Sequence, residues 1–208
     1  MWNEWFNCME GKDKFTLGLE LPSDPRWVNI AQKNIRDILV DHAYCEQKAA
    51  SSCISLIIHH PEREKLVEIL TPIVAEEWSH FERVLAELKK RGYSLGPQRK
   101  DEYIEALAKV VKTGGSREQQ LVEKLLMNAL IEARSCERFK ILWKKIPDPA
   151  LAQFYYELMV SEAGHYKSFL RLAKEYLPAD AVMDRWREWL AQEADIVSEL
   201  EVRGDRIH

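Results

Sequence analysis

The chain has 208 residues, 46% of them hydrophobic, and a formal net charge of −4. That length supports one full core, the acidic balance argues against a broadly basic, non-specific polyanion binder, and no stretch approaches the ~18 apolar residues of a membrane span. Met1-Trp2-Asn3-Glu4-Trp5-Phe6 lacks a basic region followed by an apolar run, so no leader and a cytoplasmic location are expected. With 8 Gly and 8 Pro against an excess of Glu, Lys, Leu and Ala, the composition predicts few turns and long elements, hence an all-α fold in a single domain over 1–208. Cys8, Cys45, Cys53 and Cys136 fall at no zinc-type spacing and read as free thiols.

Residues 1–24 read as irregular, with Trp2, Trp5, Phe6 and Trp27 forming an apolar strap. Ser23-Asp24-Pro25 signals a helix start, and from there to His59 the positions Ile35, Leu39, His42, Glu46, Ala49, Cys53 and Ile57 step by three and four. The turn His59-His60-Pro61-Glu62 leads into a second helix with Leu66, Leu70, Ile73, Glu77, His80, Val84 and Leu88 on one stripe. Lys89 to Lys100 carries a Gly stop signal and opens a crossover, with a short helix from Asp101 to Lys112 and a break at Thr113-Gly114-Gly115-Ser116. A third helix presents Leu121, Leu125, Asn128, Glu132, Ser135, Phe139 and Leu142. After Ile146-Pro147-Asp148-Pro149 a fourth presents Leu151, Tyr155, Leu158, Glu162, His165, Phe169, Leu172 and Tyr176. The core bundle is thus expected over about 25–176. A last amphipathic helix from Ala181 to Glu201, bearing Val182, Trp186, Trp189, Leu190 and Val197, is expected on the outside of the bundle, followed by a polar, uninformative tail to His208.

Polar residues interrupt these stripes in a pattern. Glu77 and His80 stand three apart on one helix face, and Glu162 and His165 repeat the arrangement 85 residues later. Glu46 lies 31 residues before the first pair and Glu132 lies 30 before the second. Each glutamate is placed symmetrically about a Pro-containing turn, so antiparallel helices bring the members of each half level. A carboxylate in a buried stripe costs several kcal/mol unless something compensates it. Four glutamates and two histidines at this spacing match the ligand set of a carboxylate-bridged dimetal site in a four-helix bundle. Glu137 stands a turn out of level, and His42 reads as a core or supporting residue. Nitrogen and oxygen donors without thiolate suit two iron or manganese ions better than zinc, and such a pair can activate dioxygen.

All six positions, Glu46, Glu77, His80, Glu132, Glu162 and His165, resemble those of the ferritin-like di-iron carboxylate superfamily. The Glu-Glu-Trp-Ser-His-Phe-Glu stretch at 76–82, the Ser-Glu-Ala-Gly-His-Tyr stretch at 161–166 and the crossover helix resemble the MiaE family of tRNA-2-methylthio-N6-isopentenyladenosine hydroxylases. The resemblance implies a ferritin-like four-helix bundle with a crossover helix and an additional C-terminal helix. It further implies two iron ions, dioxygen as co-substrate, a tRNA substrate hydroxylated on its isopentenyl group, and an external reductase. No Gly-x-Gly-x-x-Gly is present for a flavin or nicotinamide. A monomer is the expected state, with no membrane partner.

For tRNA, the crossover offers Lys89, Lys90, Arg91, Tyr93, Arg99 and Lys100, and the third helix offers Arg134, Arg138, Lys140, Lys144 and Lys145. A solvated face is the simpler account of both clusters. The competing functions are a ferritin- or rubrerythrin-like iron oxidase or peroxidase, a hydroxylase of another apolar molecule such as a quinone, and a metal-free interaction protein. The rubrerythrin reading lacks a Cys-x-x-Cys. The metal-free reading must bury six ionisable groups in one layer.

Overall fold

A computed structural model describes residues 16–208. The strap expected from Trp2, Trp5 and Phe6, and the Cys8 thiol, lie outside the described residues. The helices are α1 (Trp27–Ala31), α2 (Ile35–His59), α3 (Glu64–Lys90), α4 (Glu102–Val110), α5 (Arg117–Lys145), α6 (Pro149–Tyr176) and α7 (Ala179–Glu199), with no strand among the described residues. α2 packs along α3 and α5 along α6 as two hairpins, and α4 lies in the crossover between them.

Local chemistry accounts for the boundaries. α3 stops at Gly92, which adopts φ +73° and lets Tyr93 N–H reach the Leu88 carbonyl at 2.9 Å while its own N–H reaches Lys89 at 3.0 Å. Ser116 and Gln119 cap each other's backbone N–H groups to start α5. Asp148 accepts from Ala150 and Leu151 ahead of Pro149 to start α6. The first long helix departs from expectation. A 3₁₀ turn over Gln32–Asn34 separates α1 from α2, because Asn34 leaves helical geometry and its side chain bonds the Ile30 carbonyl at 2.9 Å. Further along α2, Ala50 and Leu56 are buried while Ala49 and Ile57 are half-buried, the drift expected of a 3.6-residue helix against a 3.5-residue pattern.

Two apolar clusters fill the bundle, and the break between them falls at the same level on all four long helices. One holds Cys53 and Leu56 of α2, Leu70 and Ile73 of α3, Leu125 to Ala133 of α5 and Phe169 and Leu172 of α6. The other holds Leu39 and Ala43, Phe81 and Val84, Cys136 and Phe139, and Leu158 and Ala163 of the same helices. Glu46, Glu77, His80, Glu132, Glu162 and His165 occupy the seam, all buried. Cys45, Cys53 and Cys136 are free thiols.

α7 packs as expected, burying Val182, Trp186, Trp189 and Leu190. Arg185 adds a bidentate pair to Glu123 of α5 at 2.6 and 2.7 Å and a bond to the Val110 carbonyl at 2.9 Å.

The segment after α7 overturns the uninformative tail. It returns to the bundle and buries Ile207 completely, with Ile207 N–H donating to Asp41 at 2.8 Å and Trp27 Nε1 donating to the Arg206 carbonyl at 3.2 Å. Gly204 lies so close to α1 that an added Cβ would stand 2.7 Å from the Ile30 carbonyl carbon. His208 stacks on Tyr103 at 5.1 Å and meets Ser135 Oγ at 2.9 Å.

Candidate metal centre

Two groups of convergent donors share a pair of glutamates. Glu46, Glu77, His80 and Glu162 form one and Glu77, Glu132, Glu162 and His165 the other, with the donor atoms of each within 4.8 Å of one another. Glu77 and Glu162 therefore face both groups, and each half adds one carboxylate and one imidazole. His80 Nδ1 lies 3.3 Å from Glu162, 3.6 Å from Glu46 and 3.8 Å from Glu77. His165 Nδ1 lies 2.7 Å from Glu77 and 3.1 Å from Glu162.

The polar atoms of this layer converge without satisfying one another. Both Glu77 oxygens, Glu162 Oε1 and His80 Nδ1 are buried without a hydrogen bond of normal geometry. Buried polar groups are ordinarily paired, so atoms aimed at common points between them fit cations held there. Flanking residues fix the donors. His165 Nε2 meets Glu76 at 2.7 Å, which leaves Nδ1 facing inward. His42, wholly buried among Phe139, Phe154 and Tyr155, contacts Glu46 Oε1 at 2.5 Å, and burial drives its pKa down to about 3, so it stays neutral.

Electrostatics gives a testable proton balance. Burial, reinforced by the Glu162 charge, raises the carboxyls of Glu46 and Glu132 and lifts Glu77 to about 7. Burial opposes charge on His80, yet Glu162, Glu46 and Glu77 outweigh it and push the imidazole up to about 12. Burial also works to raise Glu162, but the neighbouring imidazoles of His165 and His80 hold it well below the usual carboxylate range. A raised pKa means a bound proton that a cation must displace, so metal affinity should climb with pH as Glu77 titrates near neutrality. Anaerobic ferrous titration in weak buffer should release protons and bind more tightly at about pH 8 than at about pH 6. Loading that is pH-independent and proton-neutral would contradict this balance.

A cavity of about 290 Å³ opens between α2 and α5. Glu46, Glu77, Glu132 and Glu162 line it, whereas His80 and His165 do not. Leu56, Met127, Ile131 and Phe169 supply apolar wall, Ser52 and Asn128 polar wall, and Lys48 and Lys124 basic groups.

None of Lys89, Lys90, Arg91, Arg99 and Lys100 lines this cavity. Arg91 pairs with Glu87 and Asp148, Lys90 with Glu87, Arg99 with Asp37 and Asp205, and Lys100 with Glu105, and Lys89, Lys90 and Lys100 are exposed. On α5 the solvated-face reading fails for Arg134 and Arg138, both buried, the first bonded to Glu193 of α7 and to the Leu21 carbonyl and the second stacked on Trp27 of α1. Sequence reasoning also missed Lys48, Lys124 and His208 around the cavity. A lone isoleucine at 207 inside a charged stretch was the available signal for the returning segment. Cys45, Asp101 and His208 form a further half-buried donor group, but Asp101 already carries the Lys48 ammonium.

Two glutamates shared between two carboxylate–histidine groups, inside a four-helix bundle with a long crossover, define the ferritin-like carboxylate class. A solved structure described as "Protein 43 with aldehyde deformylating oxygenase activity from Synechococcus" superposes with a TM-score of 0.86 at 33% identity, covering 91% of this chain and 94% of that one. The family described as tRNA-(MS[2]IO[6]A)-hydroxylase (MiaE) matches residues 11–208, and the chain belongs to that family. It is 37% identical over 158 residues, 76% of each chain, to the tRNA 2-(methylsulfanyl)-N(6)-isopentenyladenosine(37) hydroxylase of Pseudomonas putida. Its identity to the Salmonella typhimurium protein of the same description is 26% over 228 residues, covering 86% of this chain and 83% of that one.

Proposed function

We propose that the chain, acting as one domain, is a di-iron monooxygenase that hydroxylates the isopentenyl group of 2-methylthio-N6-isopentenyladenosine next to the anticodon of tRNA. The observation that carries this reading is the cavity floored by the carboxylates of the donor groups, in a member of this family. Glu46, His80, Glu77 and Glu162 would hold one iron, and Glu132, His165, Glu77 and Glu162 the other. Bound iron supplies two-electron activation of dioxygen.

The chain's residues do the rest. Leu56, Met127, Ile131 and Phe169 take the prenyl chain out of water and present it to the carboxylate face. The histidines, on α3 and α6, do not line the cavity, so the substrate approaches from the α2–α5 side. An anticodon-loop base is single-stranded and can be splayed into such a pocket. Lys124 at the cavity is better placed for nearby phosphates than Lys48, which Asp101 holds, or than the crossover cluster, of which Lys89 and Lys90 remain candidates for more distant contacts. The balance is one C–H bond and dioxygen, with two electrons and two protons, giving one C–OH and water. The electrons come from a separate reductase. Among the described residues no helix is long and apolar enough to cross a membrane, and a tRNA substrate supports a cytoplasmic reading.

The test is a single turnover. The iron-loaded protein is reduced, given oxygen and offered tRNA bearing the prenylated nucleoside, whose mass should rise by one oxygen atom. The apolar walls equally favour a second reading, oxidation of a small apolar molecule, so a medium-chain aldehyde is offered in parallel. Turnover of the aldehyde with untouched tRNA would overturn the proposal.

A further inference from the structure

One amide in the cavity wall has an unmet hydrogen-bonding need. Asn128 lies on the inward stripe of α5 and lines the cavity. Its Oδ1 accepts from Ser52 Oγ of α2 at 3.1 Å, while its Nδ2 is buried with no hydrogen-bond partner. A buried amide donor left unpaired costs on the order of 1–3 kcal/mol. Neighbouring wall positions, Met127 and Ile131, are apolar, so the amide's Oδ1 is met by Ser52 while its Nδ2 is left for something entering the cavity.

We propose that Asn128, supported by Ser52, is the residue that reads the purine edge of the substrate. This rests on the hydroxylase reading above. N6-alkylated adenine keeps one N6–H donor beside the N7 acceptor, and an asparagine amide pairs with that edge through two hydrogen bonds. Nδ2 donates to N7. Oδ1 has a second lone pair beyond the one facing Ser52 and accepts from N6–H. The serine hydroxyl holds the amide plane while leaving both atoms available.

The spacing fits as a ruler. Asn128 precedes Glu132 by four residues, about 6 Å along α5. Four bonds separate N6 from a terminal methyl of the isopentenyl group, about 5 Å when extended. A base edge held at Asn128 therefore delivers a methyl carbon to the level of the donor carboxylates. Lys124, one further turn outward, also lines the cavity and is exposed, which places a cation where the nucleotide backbone would leave it.

The experiment compares wild type with Asn128→Leu and Asn128→Asp, using an anticodon stem-loop that carries the prenylated nucleoside and a second that carries its 7-deaza analogue. Binding to the oxidised, iron-loaded protein is measured by anisotropy, alongside single-turnover hydroxylation and iron content. Asn128→Leu should keep full iron while losing about tenfold to a hundredfold in binding and in the single-turnover rate at sub-saturating stem-loop. Wild type should discriminate against the 7-deaza stem-loop, and Asn128→Leu should not. Asn128→Asp, which cannot donate to N7, should match the leucine variant on the natural substrate. Wild-type turnover together with a leucine variant that binds as tightly and still senses N7 would overturn the assignment alone. A wild-type protein that loads iron yet leaves the prenyl group unchanged would overturn the hydroxylase reading, and this one with it.

Discussion

Glu162→Ala should empty both halves of the metal centre at once. Glu162 belongs to both donor groups, as does Glu77, whereas Glu46 and Glu132 each belong to one. Loss of a shared carboxylate removes a donor from each cation and also the anion that screens their mutual repulsion. Glu77→Ala and Glu162→Ala should therefore both reduce metal content to near zero. Glu46→Ala and Glu132→Ala should weaken one site and retain the other. Anaerobic ferrous titration with metal analysis after desalting reads this directly. Wild type should also gain thermal stability from metal, because a ligand that binds only the folded state stabilises it by mass action. The Glu162→Ala protein should melt at the same temperature with and without iron. Full occupancy in that variant would refute the shared-ligand geometry.

The bundle was legible because its signals are local and repeated. The stripe of α3 runs Leu66, Leu70, Ile73, Glu77, His80, Val84, Leu88, and all seven are buried. A glutamate interrupts the same pattern on each of the other long helices, with a histidine three residues later on α6 alone, and Pro-containing turns set the levels. The cavity was not legible, since it depends on how far α2 stands from α5, which no spacing within either helix records. The fate of basic residues was misread for a related reason. A charged side chain looks identical in sequence whether it meets water or a buried carboxylate, and Arg134 finds its partners at Glu193, 59 residues away, and at Leu21, 113 residues away. The returning segment failed on the same ground. Asp41 and Trp27, which hold it, lie at the opposite end of the chain.

Arg134→Leu should be the most destabilising substitution of a basic residue in the chain, lowering stability by ~3–5 kcal/mol. The guanidinium is fully buried and donates to Glu193 at 2.8 Å through Nε, to the Leu21 carbonyl at 2.9 Å through Nη2, and to Ser23 and Glu137 at 3.3 Å through Nη1. Glu193 also accepts from Tyr103 at 3.1 Å, so one cation ties α4, α5, α7 and the residues before α1. A leucine there leaves the buried Glu193 carboxylate without its counter-charge, while Glu137 keeps Ser23 and Arg138, and breaking a buried pair costs more than forming it gains. For a chain of this size the loss corresponds to a fall in melting temperature of ~6–20 °C. Lys144→Ala, on the exposed end of the same helix, should stay within about 0.5 kcal/mol of wild type. Adding Glu193→Gln to the leucine variant should recover part of the loss, since the remaining buried charge is then removed while the Tyr103 bond can persist. Equal, small effects of Arg134→Leu and Lys144→Ala would mean that the arginine faces water after all, as the sequence pattern alone had suggested.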